Sequence, residues 1–318
     1  MGFITKRIAV TILTLILVSI FTFGAFRLIP GEAAILSLGT DSGEEQIDAL
    51  RAEMGLKKSY PEQYLSWLAN FITGKLGNSV RFRGASISGM IQERIPVTFA
   101  LAGISFLLIL LIAVPVSLFS VKKERSVIDR IVTTLTAINI SMPGFFLGVL
   151  FIWIFGISLR LFVPGAYVSF SVNPAGFFQY LFFPALAIAL PNAALVVKFL
   201  RTSIFREFQS DYVRTARSKG GSRSHILIRH VLKNASLPAI TLLGMICGEI
   251  FSGSIVIEQV FGIPGIGRLL LASITARDYP MIETLVIFIA FIVIMANTAA
   301  DIILRIIDPR ILRPSQKV

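Results

Sequence analysis

The sequence is poor in the residues on which many metal sites, disulfides and active sites depend. It contains one cysteine, Cys247, and two histidines, His225 and His230, among 318 residues. A single cysteine excludes a disulfide within the chain and the paired-cysteine motifs of zinc and redox proteins. The histidines lie in a basic stretch with no cysteine or cluster of carboxylates nearby. We interpret them as solvated loop residues and predict no metal ligand.

Motifs for catalysis and nucleotide binding are missing as well. The sequence contains no G-x-x-x-x-G-K-[ST], H-E-x-x-H or G-x-S-x-G pattern. Gly74-Lys75 lacks the upstream glycine and the hydroxyl residue of a phosphate-binding loop, and Gly220-Gly221 is typical of a turn. We therefore predict no catalytic residue and no cofactor bound by this chain. If ATP and magnesium drive the protein, they are bound by partner subunits.

Charge is the third scarce feature. Charged residues make up 15% of the sequence, whereas soluble domains carry about 25%. Hydrophobic residues make up 55%, and the mean hydropathy is +0.79. This composition excludes a single water-soluble core and predicts an all-α membrane protein with spans of about 20 residues. Six apolar segments qualify: Ile8–Ile29, Pro96–Val121, Ile131–Ile157, Tyr180–Leu200, Pro238–Glu258 and Ile282–Ile307.

The first span allows two interpretations, because Lys6 and Arg7 precede it. One is a cleaved signal peptide, for which Ala33 and Ala34 offer only a weak cleavage site. The other is a retained membrane anchor. The uncharged run from Ile8 to Phe26 is 19 residues long. A signal-peptide core has only about 7–15 residues, so we favour the anchor.

The distribution of basic residues predicts the orientation. With the N-terminus in the cytoplasm, the cytoplasmic segments hold 19 Lys and Arg in 67 residues, and the external segments hold 11 in 116. This asymmetry agrees with the positive-inside rule and predicts a multi-pass protein with both termini in the cytoplasm. The net charge of +12 then needs no nucleic-acid partner.

The predicted sidedness divides the chain into regions. Residues 1–29 hold the N-terminal region and first span, 30–95 an extracytoplasmic region, 96–307 the core transmembrane domain with a cytoplasmic loop at 201–237, and 308–318 a cytoplasmic tail. Capping residues predict an external helix from Asp41 or Ser42 to Gly55. Aromatic spacing predicts an amphipathic helix in "YPEQYLSWLANFI". The external region is either an ordinary structured cap or part of a docking face.

The long basic loop is more elaborate than a connection between two spans requires. From Lys198 to Lys233 it has nine Lys and Arg against two acids, which the positive-inside rule alone explains. However, "EFQSDYVRTARSK" is rich in helix formers and ends at Gly220-Gly221, and a second helical run starts with a cap at Ser222 or Ser224. We predict a helix, a glycine turn and a helix. Apolar side chains on one side of the first helix could fill a groove on another protein: Tyr212, Val213 and Ala216.

Polar residues inside the spans are the other informative feature, since they are costly in lipid. Glu249 lies in the fifth span beside Gly248, Ser252 and Gly253. Such residues either line a water-filled path or hydrogen-bond between helices. The same alternatives apply to polar residues of the third, fourth and sixth spans: Asn139, Ser141, Asn192, Asn297 and Asp301. Prolines allow kinks in these helices: Pro115, Pro143, Pro184 and Pro191.

Several stretches together resemble one family of membrane proteins. They are "RLIPGEAA", "YVRTARSKG" with "LIRHVLKNASLP", "VFGIPGIGRLLLASITARDYP" and "DIILRIIDPRI". The chain resembles the permease subunits of bacterial binding-protein-dependent ABC importers of the dipeptide, oligopeptide and nickel type. The resemblance implies the type I importer permease fold in the bacterial inner membrane. It implies four kinds of partner: a second homologous permease, two ATP-binding subunits, an extracytoplasmic solute-binding protein and the lipid bilayer.

The resemblance also gives the basic loop a role. It implies a coupling helix that docks on an ATPase, although the family pattern E-A-A-x-x-x-G reads here as Arg214, Thr215 and Ala216 with Gly220. The implied ATPase contact is Asp211, Tyr212, Arg214, Thr215, Ala216 and Gly220. The expected translocation residues are Asn139, Ser141, Asn192, Glu249, Ser252 and Asn297. Peptides and nickel or metal chelates both remain open as substrates. A rival class is an ion-coupled secondary transporter, and another is a membrane enzyme or sensor.

Overall fold

A computed structural model describes residues 2–28, 43, 45–46, 59–82 and 84–307 of the chain. In chain order its helices are α1 (Gly2–Leu28), α2 (Tyr60–Ile72), α3 (Ile87–Lys122), α4 (Val127–Ser141), α5 (Gly144–Phe151, continued by a π-helix Ile152–Ser158), α6 (Pro174–Glu207), α7 (Asp211–Ser218), α8 (Arg223–Ile226, continued by a π-helix Leu227–Val231), α9 (Leu232–Phe261), α10 (Ile266–Ala276) and α11 (Tyr279–Ile307).

Among the described residues, five stretches of helix are long and apolar enough to cross a membrane: Thr5–Leu28, Ile87–Lys122, Pro174–Glu207, Arg223–Phe261 and Tyr279–Ile303. A sixth span is the pair α4 and α5, which together pass the same test. The prediction of an all-α protein with six spans is confirmed when this pair counts as one span. The basic stretch before Pro238 continues into the fifth span without an interruption of the helix.

The third predicted span, Ile131–Ile157, is not the continuous helix that its apolar composition predicts. Its two halves are bent by 104° at a short break. Met142 has an extended backbone (φ −93°, ψ 124°) and Pro143 caps the start of α5. Proline disfavours the helical conformation of the residue before it and has no backbone N–H. By contrast, Pro184 and Pro191 lie inside the continuous α6.

Other boundaries also differ from the prediction. Helix α3 begins at Ile87 rather than at Pro96, and α10 was not predicted at all. Helix α10 lies between two residues with left-handed backbone, Gly262 (φ 72°) and Arg277 (φ 57°). The helix predicted from Asp41 or Ser42 to Gly55 lies almost entirely outside the described residues, and the tail at 308–318 lies wholly outside them.

The described residues form two compact units. The first comprises parts of Met1–Phe99 and Pro264–Met295, and the second comprises Ala100–Ile263 with parts of Ala296–Val318. The division predicted from the sequence follows sides of the membrane rather than packing, so it stays a prediction.

In the first unit, α2 packs against α1 through aromatic side chains, which confirms the predicted amphipathic helix. The ring of Phe23 lies 5.5 Å from that of Tyr64 and 6.0 Å from that of Trp67, measured between centroids. Arg27 donates from Nε to Oε1 of Gln63 at 3.1 Å. Its guanidinium lies 4.5 Å from the centre of the Phe23 ring. The guanidinium group of Arg27, at the polar end of this contact, therefore has partners within the first unit.

A buried carboxylate holds the other part of the first unit. Asp278 is fully buried at the start of α11 and accepts hydrogen bonds from the hydroxyl of Ser79 and the backbone N–H groups of Arg81 and Met281. It therefore joins the turn between Asn78 and Ser86 to a helix that begins nearly 200 residues later in the chain. Several donors satisfy this buried carboxyl group, so the contact is a fixed point of the first unit.

Candidate coupling segment and translocation residues

The helix, glycine turn and helix predicted in the basic loop are present and anchored on an apolar cluster. The cluster joins residues of α3, α6, α7, α8 and α9: Val121, Leu200, Ile204, Val213, Ile226, Leu227, Val231, Ala235 and Ala239. Burying one Val, Leu or Ile side chain contributes about 1.5–3 kcal/mol. We call residues 208–231 the coupling segment. The cluster packs it against the ends of three spans, α3, α6 and α9.

Glycine is needed at both positions of the turn, for a different physical reason at each. Gly220 has a left-handed backbone (φ +83°), with no atom near the position of a Cβ. Gly221 has an ordinary φ, but a Cβ there would lie 3.0 Å from the carbonyl oxygen of Ala216 and 3.1 Å from Ile226. The first glycine therefore allows the turn, and the second allows α7 and α8 to approach closely. Ser222 rather than Ser224 caps α8, by accepting from the N–H of His225 at 3.4 Å.

The outward face of α7 is polar. Most residues of the predicted ATPase contact are exposed: Asp211, Tyr212, Arg214, Thr215 and Gly220. Arg214 pairs with Asp211 at 3.5 Å in a fully solvated position. Tyr212 donates to Oε2 of Glu207 at 2.7 Å. Partial burial, together with the bond to Glu207, raises the pKa of Tyr212, so its hydroxyl stays a donor at neutral pH.

The inward face of α7 corrects one hypothesis from the sequence. Val213 is fully buried in the apolar cluster, and Ala216 packs against the same cluster. The two residues are three apart and share a helix face, as predicted. That face is covered by this chain, so the idea that Tyr212, Val213 and Ala216 together fill a groove of another protein is wrong. A role of Ala216 in the ATPase contact stays a prediction.

Two ion pairs near the coupling segment were not predicted. Asp129, in the first turn of α4, is buried and accepts from Oγ of Ser120 at 2.6 Å and from the N–H of Arg125 at 3.2 Å. It also pairs with Arg201 of α6 at 2.8 Å. Glu124, in the connection between α3 and α4, pairs with Arg223 at 2.6 Å. The only local signal was the S-x-x-D spacing of Ser126 and Asp129, which is typical of a helix start.

Three of the predicted translocation residues hydrogen-bond to their own helices. Asn139 donates to the carbonyl of Leu135 at 2.9 Å, and Asn192 donates to that of Ile188 at 2.9 Å. Ser141 bonds in the same way to its own helix. Such bonds to the preceding turn satisfy a polar group without a partner helix. Ser141 is exposed on α4, whereas Asn139 on α4 and Asn192 on α6 are partly buried.

Glu249 and Ser252 lie on an exposed strip of α9. Met245 and Val256, one turn to either side of them, are also exposed, and a Cβ at Gly253 would meet open space. Glu249 makes no hydrogen bond or ion pair with any residue that the structure describes. Its carboxyl group is therefore available to a solute, water or another subunit.

Asn297 has a packing role instead. A Cβ at Gly248 would lie 2.5 Å from Oδ1 of Asn297, so α9 and α11 approach each other only because residue 248 is glycine. Asp301, one turn further along α11, is partly buried. Within the described part of the chain, no hydrogen bond or ion pair joins any two of the six predicted translocation residues. They occupy four helices: α4, α6, α9 and α11.

Helical spans and a rigid polar segment between two of them are features of a polytopic transport subunit. The family comparison agrees. Residues 113–313 match the inner membrane component of binding-protein-dependent transport systems, and residues 1–102 match the N-terminal region of such membrane components. The chain belongs to this family, so it is a permease subunit with the type I importer fold and is not itself an enzyme. The resemblance drawn from its motifs is confirmed.

Several relatives match over nearly the whole chain. A probable peptide ABC transporter permease of Sinorhizobium fredii is 32% identical over 97% of this chain and 98% of its own length. A putative peptide transport system permease of Brucella abortus is 34% identical over 97% and 98%. An oligopeptide transport system permease of Bacillus subtilis is 32% identical over 98% and 99%.

Proposed function

We propose that this chain is the permease subunit of an ATP-driven importer that carries di- and oligopeptides across a bacterial inner membrane. The names of the full-length relatives support the peptide substrate. The observation that carries the ATP-driven mechanism is the coupling segment. Its polar face is exposed, while its apolar face is fixed to the ends of three spans. When an ATP-binding subunit pushes or pulls α7, those spans therefore move with it.

The proposed complex contains this chain, a second homologous permease, two ATP-binding subunits that hold ATP and magnesium, and an external solute-binding protein. The coupling segment and both termini face the cytoplasm. The density of Lys and Arg in the proposed cytoplasmic segments supports this orientation. The exposed residues of α7 meet a cleft of an ATP-binding subunit, with Arg214 and Asp211 as its charged contacts.

Translocation uses the exposed strip of α9. The Glu249 carboxylate meets the ammonium group of a peptide or the water around it, and Ser252 provides a second polar group one turn away. Asn139, Ser141 and Asn192 contribute polar surface from α4 and α6. Asn297 keeps α9 and α11 close together through Gly248. Nickel or a metal chelate is the alternative substrate, since a carboxylate also suits a cation.

Purification of tagged chain from native membranes tests the coupling contact. We expect ATP-binding chains to be recovered with the unaltered protein. Arg214→Glu should lower their recovery about tenfold or more, because a reversed charge at a complementary contact costs several kcal/mol. Lys75→Glu is the matched control, since it reverses an exposed charge on the proposed external side. Full recovery with Arg214→Glu would remove this face from the contact, and absence of ATP-binding chains from the unaltered protein would contradict the proposed function.

A further inference from the structure

The connection between α3 and α4 is joined to the coupling segment and to α6 by two ion pairs. Glu124 and Arg223 link it to the start of α8 at 2.6 Å. Asp129 and Arg201 link the first turn of α4 to the end of α6 at 2.8 Å. Arg201 also donates to the hydroxyl of Thr133, one turn further along α4, at 2.9 Å. The connection is therefore held by the coupling segment at Glu124, and the first turns of α4 are held by α6 at Asp129 and Thr133.

The two pairs differ in their surroundings. The Asp129 and Arg201 side chains are 10% and 23% exposed, and Asp129 also accepts from Ser120 and the backbone of Arg125. This pair is shielded from water and is part of the packing. The Arg223 and Glu124 side chains are 52% and 33% exposed. We call Asp129 and Arg201 the inner pair, and Glu124 and Arg223 the outer pair. An exposed pair contributes little to folding stability, so the stability of the fold does not explain the outer pair.

We propose that these two pairs form a positioning device that makes α4 follow the coupling segment. The inference rests on the proposed function and deepens it. The inner pair anchors α4 to α6, and the outer pair transfers movement of the turn between α7 and α8 to the connection before α4. Beyond that connection lie Asn139 and Ser141, and then the bend at Pro143. Movement at the ATPase contact thereby reaches the broken third span as well as α6 and α9.

Three possible roles of the outer pair predict different outcomes when the pair is removed. If the outer pair merely stabilises folding, its loss lowers the yield of complex and both activities in parallel. If it is an incidental surface contact, its loss changes nothing. If it transmits movement, its loss leaves ATP hydrolysis and assembly intact and lowers the amount of solute moved per ATP hydrolysed.

The test uses the full complex in proteoliposomes, with labelled dipeptide uptake and phosphate release measured on the same vesicles. Glu124→Gln should lower the uptake per ATP about threefold, which corresponds to the interaction energy of one exposed ion pair. The charge exchange Glu124→Arg with Arg223→Glu should restore the ratio. Glu93→Gln is the matched control, because Glu93 is 81% exposed and its contact with Arg94 is 3.9 Å long.

Each outcome decides the proposal. A normal ratio with Glu124→Gln, or a ratio that the charge exchange fails to restore, would overturn the transmitting role. A parallel loss of complex and both activities would assign the pair to folding and overturn it too. If the unaltered complex moves solute with ATP, these results concern the inference alone. Lack of ATP-dependent uptake by the unaltered complex would instead overturn the proposed function, and the inference with it.

Discussion

Glu249 is the residue on which the proposed pathway depends most. It is an acid in a membrane-spanning helix, it is exposed on the isolated chain, and it makes no contact with the described residues that would compensate its charge. Charged groups in spans usually face a water-filled path or a partner, because lipid is too costly for them. The position of Glu249 in a span and its small neighbours are visible in the sequence. The packing of Asn297 on Gly248 is not visible there, because it joins two helices that are far apart in the chain.

Replacing Glu249 with Gln tests its role at the residue scale. The change keeps the shape and hydrogen-bonding capacity and removes the charge. We expect uptake of cationic peptides by the assembled complex to fall about tenfold, the loss of one charged hydrogen bond. Neutral peptides should be affected less, and Glu249→Leu should lower uptake of both. Equal and full uptake of differently charged peptides by the Gln variant would remove Glu249 from the proposed pathway.

At the scale of elements, local sequence patterns predicted which helices exist, and contacts between distant residues decided where those helices bend and end. The apolar runs predicted the spans, and Gly220 predicted the end of α7. The sequence did not reveal that Pro143 breaks a span while Pro184 and Pro191 do not. At the start of α5, a Cβ on Gly144 would lie 3.3 Å from the carbonyl oxygen of Ala187 in α6. That approach depends on residues far apart in the chain, as does the pair of Asp129 with Arg201, 72 residues apart.

The turn of the coupling segment gives a prediction at this scale. Gly221→Ala should destabilise the complex, because the new Cβ meets the backbone of Ala216, which cannot move without shifting α7. Gly220→Ala should cost about 1–2 kcal/mol through its left-handed backbone. Gly103→Ala is the control, since it lies in a helix with open space around it. Thermal unfolding in detergent measures all three, and unfolding temperatures for both turn variants equal to that of the control would contradict the packing described here.

At the scale of the whole molecule, composition alone identified the class. Low charge and high hydropathy predicted a polytopic helical protein, and linked motifs predicted the permease family, which the family comparison confirms. The orientation and the partners are proposals built on charge asymmetry and on the relatives. The residues of the proposed pathway suit a peptide and a metal chelate alike, because both are polar solutes that a carboxylate can meet.

The central claim is that ATP hydrolysis drives transport, and identifying the energy source of uptake tests it most directly. The complex is reconstituted in proteoliposomes with the external binding protein and labelled dipeptide outside and ATP inside. We predict that the peptide accumulates only when ATP is present and hydrolysed, and that accumulation persists when ionophores abolish all ion gradients. Accumulation driven by a proton or sodium gradient without ATP would contradict the account and identify an ion-coupled secondary transporter.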